Sequence, residues 1–293
     1  MLAFAPMWAS GCVTIKTRRT VKKEQIRPQL TATEEQIVSR YDQQARAAQT
    51  LQATVDLIPS TGSNYSGVIE DYHDVPGFIL AKRPAIVRVI GQAPVVAKNI
   101  FDMVSDGHSF RIYIPSKNMF LVGATSLARP SKNPIENLRP QHIVEALFWP
   151  EITSTTTMLF EQFDGDIDRY YILTMLRTAE GGKLEIARKI WFDRSNLAAT
   201  RLQVFGPGGQ LDSDITYSDW QALAPAPGAA SAPEGTRYPR DIRISRPQDD
   251  YKLEVRITKL TLNEPISADR FELAQPSGTE LVRVGEESSG KHP

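Results

Sequence analysis

One cysteine among 293 residues excludes an internal disulfide, so core packing must hold whatever fold forms. No stretch reaches the roughly 20 consecutive apolar residues that a helix needs to cross a bilayer. Charge of one sign is lacking as well. Lys and Arg number 34, Asp and Glu number 34, and a net charge of zero removes any global argument for nucleic acid or an acidic partner. Catalytic signatures are missing: there is no Gly-x-Ser-x-Gly, phosphate loop or dinucleotide fingerprint. The four histidines, His73, His108, His142 and His292, form no ligand pattern. Asp164-Gly165-Asp166-Ile167-Asp168 alternates three carboxylates but lacks the central glycine and terminal glutamate of an EF-hand loop, and reads as a polar hairpin. Glu70, Asp71 and Asp74 beside His73 would be divided between two faces by strand alternation. The expectation is a protein that is not an enzyme and holds no metal or cofactor. An apolar content of 41% with 23% charged residues describes an ordinary globular chain.

What is present begins with that cysteine. Cys12 follows Ala9-Ser10-Gly11 behind an apolar opening, Met1 to Trp8. Small residues before a cysteine in this position resemble a bacterial lipobox, although Ala9 stands where such boxes usually carry Leu and no Lys or Arg precedes Cys12. The reading is a signal peptide over 1–11, cleavage before Cys12, and a covalent lipid on its thiol. Residues 16–27 then carry Lys16, Arg18, Arg19, Lys22, Lys23 and Arg27 against Glu24 alone. Next to a lipid anchor such a run faces phospholipid headgroups, each basic group contributing about 1 kcal/mol at an anionic surface; a solvated leader is the alternative. Either way 12–30 reads as a tether, reaching on the order of 20–25 Å as a flexible coil.

Helical periodicity occurs twice. Thr33 and Gln36 make a capping box, and Ile37, Tyr41, Ala45 and Ala48 form a stripe over about 34–50. Pro140 opens and Pro150 closes a second helix over about 140–149, apolar over most of its circumference. Elsewhere the period is two. Leu51, Ala53, Val55 and Leu57 alternate with polar residues up to Pro59, and about a dozen strand-like runs follow, including pieces near 270–274 and 279–284. Asp106-Gly107 predicts a two-residue type I′ hairpin. The Pro/Ala-rich stretch 222–236 reads as a flexible loop and 285–293 as a disordered tail. Residues 31–284 read as one domain.

Gly77-Phe78-Ile79-Leu80-Ala81-Lys82-Arg83-Pro84-Ala85-Ile86-Val87-Arg88 resembles the LolA/LolB family of lipoprotein carriers, in which one strand ends in Arg-Pro and the next carries an Arg. The resemblance continues through Met103-Val104-Ser105-Asp106-Gly107, Phe110 to Pro115, and Leu262 to Val282. It implies a mainly β fold, a large antiparallel sheet curled into an unclosed barrel, with helices covering or filling its concave face. It also implies an apolar cavity for acyl chains. Ile143, Leu147 and Phe148 are its candidate lining, joined by Phe101 and Met103, with plain core packing as the alternative. Arg83 and Arg88 are candidates for the mouth, meeting a headgroup or tying down a lid, with a surface ion pair as the alternative for Arg83.

The functional expectation is a monomeric binding protein of the cell envelope, lipid-anchored on the periplasmic side and more consistent with the outer membrane, since Val13 follows the cysteine. Its cargo would be acyl chains or the lipid moiety of lipoproteins, received from a periplasmic carrier or passed to one. The rivals are a sensor or interaction module, or a structural lipoprotein, on the same fold. An open apolar cavity of several hundred Å³ favours binding, and a filled interior favours the structural role.

Overall fold

The computed structural model describes residues 28–63, 68–71, 74–95, 98–125, 139–153, 155–165, 168–223 and 236–285. Cys12, most of the basic tether, the Pro/Ala-rich loop and most of the tail lie outside them. The chain opens with α1 (Glu34–Ala47), started by the capping box of Thr33 and Gln36. Seven strands follow: β1 (Thr50–Ser63), β2 (Val68–Asp71), β3 (Val75–Lys82), β4 (Ile86–Gln92), β5 (Asn99–Ser105), β6 (Ser109–Ile114) and β7 (Met119–Ala124). Then come α2 (Pro140–Leu147), β8 (Thr157–Asp164), β9 (Arg169–Thr178), β10 (Leu184–Asp193), β11 (Ala199–Phe205), β12 (Leu211–Ala222), β13 (Arg237–Arg246), β14 (Tyr251–Leu262) and β15 (Glu280–Arg283).

All fifteen strands join one sheet in the order β15-β7-β6-β5-β4-β3-β1-β14-β13-β12-β11-β10-β9-β8, with β2 on the far end of β1. The pairs are antiparallel neighbours in sequence, apart from β1 with β3, which skips the short β2, and two long-range joins. β1 and β14 bring the two halves together in the middle, and β15 adds in parallel to β7. β8 and β15 are the edges and do not meet, so the barrel is unclosed.

Alternation decides which face each side chain takes. Leu51, Ala53, Val55 and Leu57 of β1, Val87 and Val89 of β4, and Leu253, Val255 and Ile257 of β14 are buried on the concave side. There they form one continuous cluster with Ile37, Tyr41 and Ala45 of α1 and Ile143, Val144 and Leu147 of α2. A sheet this long curls because both helices must be covered.

Three local expectations are corrected. Pro59 does not end β1, which runs on to Ser63. Its missing N–H is tolerated because β3 pairs β1 only up to Leu57 and β2 only from Ser60, leaving Pro59 without a neighbour on that side. The Asp106-Gly107 connection is a three-residue loop in which Gly107 alone is left-handed (φ 94°). The Asp106 carboxylate accepts the N–H groups of His108 (2.8 Å) and Ser109 (2.7 Å) in place of a type I′ turn. Residues 270–274 form no strand. They belong to a strap, 263–279, that crosses the convex face from β14 to β15, with a 3₁₀ turn at Ala268–Phe271. Leu273 presses there on Val104 and Phe120, a small second core outside the barrel.

Candidate functional site

The concave face is where the two helices meet the sheet, and α2 is its centre. Pro140 begins α2 without needing an N–H, and Phe148 leaves it, its N–H donating to the Val144 carbonyl (2.8 Å). α2 touches β4, β5 and β13, strands from both halves of the sheet, and so spans the hollow. Ile143, Leu147 and Phe148 are 3%, 4% and 5% exposed and join one cluster with Met103, while Phe101 packs against its margin.

The last carbonyls of α2 have no helical partners, and side chains from two strands satisfy two of them, while α1 reaches the segment just beyond. Tyr217 of β12 donates its hydroxyl to Ala146 (3.1 Å) and Tyr238 of β13 donates to Leu147 (2.9 Å). Tyr41 of α1 donates to Pro150 (2.7 Å). Trp149 sits among them, stacked on Tyr41 (centroids 5.4 Å) and edge-on to Tyr217, to whose oxygen its indole N–H donates (2.9 Å). Burial pushes all three tyrosine hydroxyls above their ordinary range, so they remain donors at any physiological pH.

Arg83 closes this arrangement. Its guanidinium donates to the Ala45 and Ala48 carbonyls at the C-terminus of α1, where a cation also complements the helix dipole. It donates to the Trp149 carbonyl beyond α2 as well (2.9 Å), and its carbon lies 5.0 Å from the centre of the Phe148 ring. Arg83 therefore ties both helices to the end of β3. Burial draws its pKa down, with Glu151 opposing.

Arg88 is elsewhere. It alternates with buried Val87 and Val89 and so faces the convex side, away from the helices. There it grips Asp102 through two bonds (3.0 and 2.7 Å) and donates to the Arg270 carbonyl (2.9 Å), fastening the strap. The expected mouth position is corrected for this residue.

One flank of α2 is polar. Glu145 faces Arg188 at 3.8 Å and accepts from Ser213 (3.3 Å), and Arg246 donates to the same serine (2.7 Å). Burial raises the Glu145 pKa, opposed by Arg188 and then Arg246. His142 is held well below its usual value by burial first and then by Arg246 and Arg139, and its Nδ1 is buried with no hydrogen-bond partner.

Among the described residues the concave side holds little open space. Beside Leu147, among Arg83, Tyr217 and Tyr238, there remains about 10 Å³, and a more open pocket of about 230 Å³ lies at the rim between Arg40, Trp149, Trp220 and Arg237. By the criterion set from sequence, this conformation favours a packed barrel over a standing cavity. Among the described residues no group of three His, Cys, Asp or Glu side chains is placed to hold a metal ion, and no helix is long and apolar enough to cross a membrane.

The curled, unclosed antiparallel sheet superposes on solved structures. A LolA superfamily protein from Nitrosomonas europaea superposes with a TM-score of 0.50 at 12% identity, over 83% of this chain and 99% of its own. The fold is LolA-like. A DUF1329 family protein from Desulfovibrio piger gives a TM-score of 0.51 at 14% identity, over 80% of this chain and 94% of its own. No family model matches the sequence, and no curated protein does.

Sequence reasoning placed Tyr41 on the buried stripe of the first helix and Trp149 in the second, but it missed Tyr217 and Tyr238 and the bonds that join the four. A signal existed: Tyr217 shares the inward parity of Ile215, and Tyr238 that of Ile242 and Ile244. A tyrosine at an inward position must find a partner for its hydroxyl.

Proposed function

We propose that the protein is a lipid-anchored binding protein of the bacterial envelope that takes an acyl chain, free or on a lipoprotein, into the space α2 fills. In this reading α2 is a plug. The observation that carries it is the way α2 is held, by apolar packing on one side and a countable set of side-chain bonds to carbonyls at its end and just beyond it. Ile143, Leu147 and Phe148 leaving the hollow lose burial that an entering acyl chain regains at about 0.8 kcal/mol per CH₂. The apolar exchange is close to neutral. The bonds from Arg83, Tyr217 and Tyr238, about 0.5–1.5 kcal/mol net each, then set the threshold for opening.

The full chain carrying Cys12→Ser, expressed in the periplasm, tests this by native mass spectrometry followed by lipid extraction. A stoichiometric acyl-bearing adduct is expected, lost in Leu147→Asp while circular dichroism still reports a folded sheet. A clean apo mass that also refuses added palmitate and lipopeptide would sink the reading. The filled interior favours a second reading in that event, a structural or interaction lipoprotein on the same fold.

A further inference from the structure

On the convex face of β8 to β10 several outward positions carry apolar groups, interrupted by Glu161 and Thr174, which bond to each other (3.3 Å). Leu159 and Phe163 of β8 are 53% and 50% exposed. Phe163 stacks on Tyr170 across the strand pair, centroids 6.4 Å apart. Glu161 is paired with Ile172, which is paired in turn with Trp191. The Trp191 ring lies under two cations, Lys189 Nζ at 5.7 Å and the Arg201 guanidinium at 5.2 Å from its centre. The result is an apolar, aromatic strip with a cationic margin, on the opposite face from the plug.

A second observation says what covers it. The chain enters the fold at the Phe163 end of this strip. The Leu30 N–H donates to the Arg194 carbonyl (2.7 Å), and the Arg194 guanidinium pairs with Asp164, next to Phe163. Leu30 itself is 43% exposed. Residues 13–27 therefore connect this end of the molecule to Cys12. A lipid on Cys12 would hold this end of the molecule, fifteen residues away in sequence, at a bilayer.

We infer that the outer face of β8 to β10 is a membrane-docking surface, with Leu159, Phe163, Tyr170 and Trp191 entering the lipid interface and Lys189 at headgroup level. Tryptophan and tyrosine with flanking cations suit that boundary, where one end of the side chain is apolar and the other wet. The inference rests on the anchored reading above. A partner strand on the free edge of β8 explains less. It would use the backbone edge and leave Trp191, two strands further in at about 4.8 Å per strand, uncovered.

Flotation of the full Cys12→Ser chain with vesicles of phosphatidylethanolamine and phosphatidylglycerol tests it without help from the covalent lipid. The unlipidated chain is expected to float, and Leu159→Asp with Phe163→Asp to lower its partition constant by about tenfold or more, or about 1.4 kcal/mol. With Trp8→Phe in both, brominated lipid is expected to quench tryptophan fluorescence in the parent and not in Trp191→Phe, a readout independent of any folding defect in the aspartate variant. No flotation overturns the inference. So does flotation that survives the aspartates but fails on Lys22→Glu with Lys23→Glu, which assigns binding to the tether alone. Aspartates that abolish self-association in place of flotation overturn it too. A chain that carries an interior acyl adduct yet ignores vesicles sinks this inference only, and one that floats without an adduct sinks the interior reading only.

Discussion

At the scale of residues, two arginines five positions apart show how much parity decides. Val87 and Val89 point inward, so Arg88 had to point out, and that much is legible in the alternation around it. Arg83 stands beyond the last residue of β3, where alternation ends, and no sequence rule places it. Its three carbonyl partners come from segments 35, 38 and 66 residues away. Arg83→Ala strands those carbonyls, and a loss of about 3 kcal/mol in urea unfolding is expected. Arg83→Lys should recover less than half of it, because one ammonium cannot reproduce the guanidinium fork. Hydrogen exchange separates the two arginines: Arg83→Ala should speed exchange in α2, whereas Arg88→Ala should speed it in the strap and leave α2 unchanged.

At the scale of elements, α2 carries two groups that titrate in opposite senses. His142 is neutral in the fold, while the unfolded chain takes up its proton below about pH 6.5. Its contribution is present above that pH and is lost as the pH falls towards the depressed folded value. The raised carboxyl of Glu145 contributes most below its ordinary value of about 4.5, and that contribution is lost as the pH rises through the folded value. The two partly cancel between about pH 4.5 and 6.5. His142→Gln should therefore gain urea midpoint relative to wild type on going from pH 7.5 to about pH 5, and Glu145→Gln should steepen the acid loss. Parallel pH profiles for wild type and both variants would contradict the burial of these groups. The same helix shows where sequence reading stops. Pro140 and Pro150 bracket it and its apolar face is plain, but the sequence does not say that β12 and β13 supply its carbonyl partners, since that depends on strand order. The strand-like run at 270–274 was misread for a related reason. Leu273 is apolar because the strap has a small core of its own on the convex face, which mimics strand alternation.

At the scale of the whole molecule, alternation and turn residues made the succession of strands legible, and the order of motifs pointed to the curled sheet. The open barrel was implied by the resemblance and is what the strand order shows. What could not be read was whether side chains or empty space fill the hollow, since that depends on how α1 and α2 seat across both halves of the sheet. Among the described residues the hollow holds little open space, so in the proposed reading an acyl chain enters where α2 now packs. Hydrogen exchange of α2 in the full Cys12→Ser chain, with and without saturating palmitate, measures that directly. The account expects palmitate to bind and the amides of Val144 to Phe148 to lose protection while β1 and β14 keep theirs. Palmitate that binds without changing α2, or that does not bind at all, would contradict it.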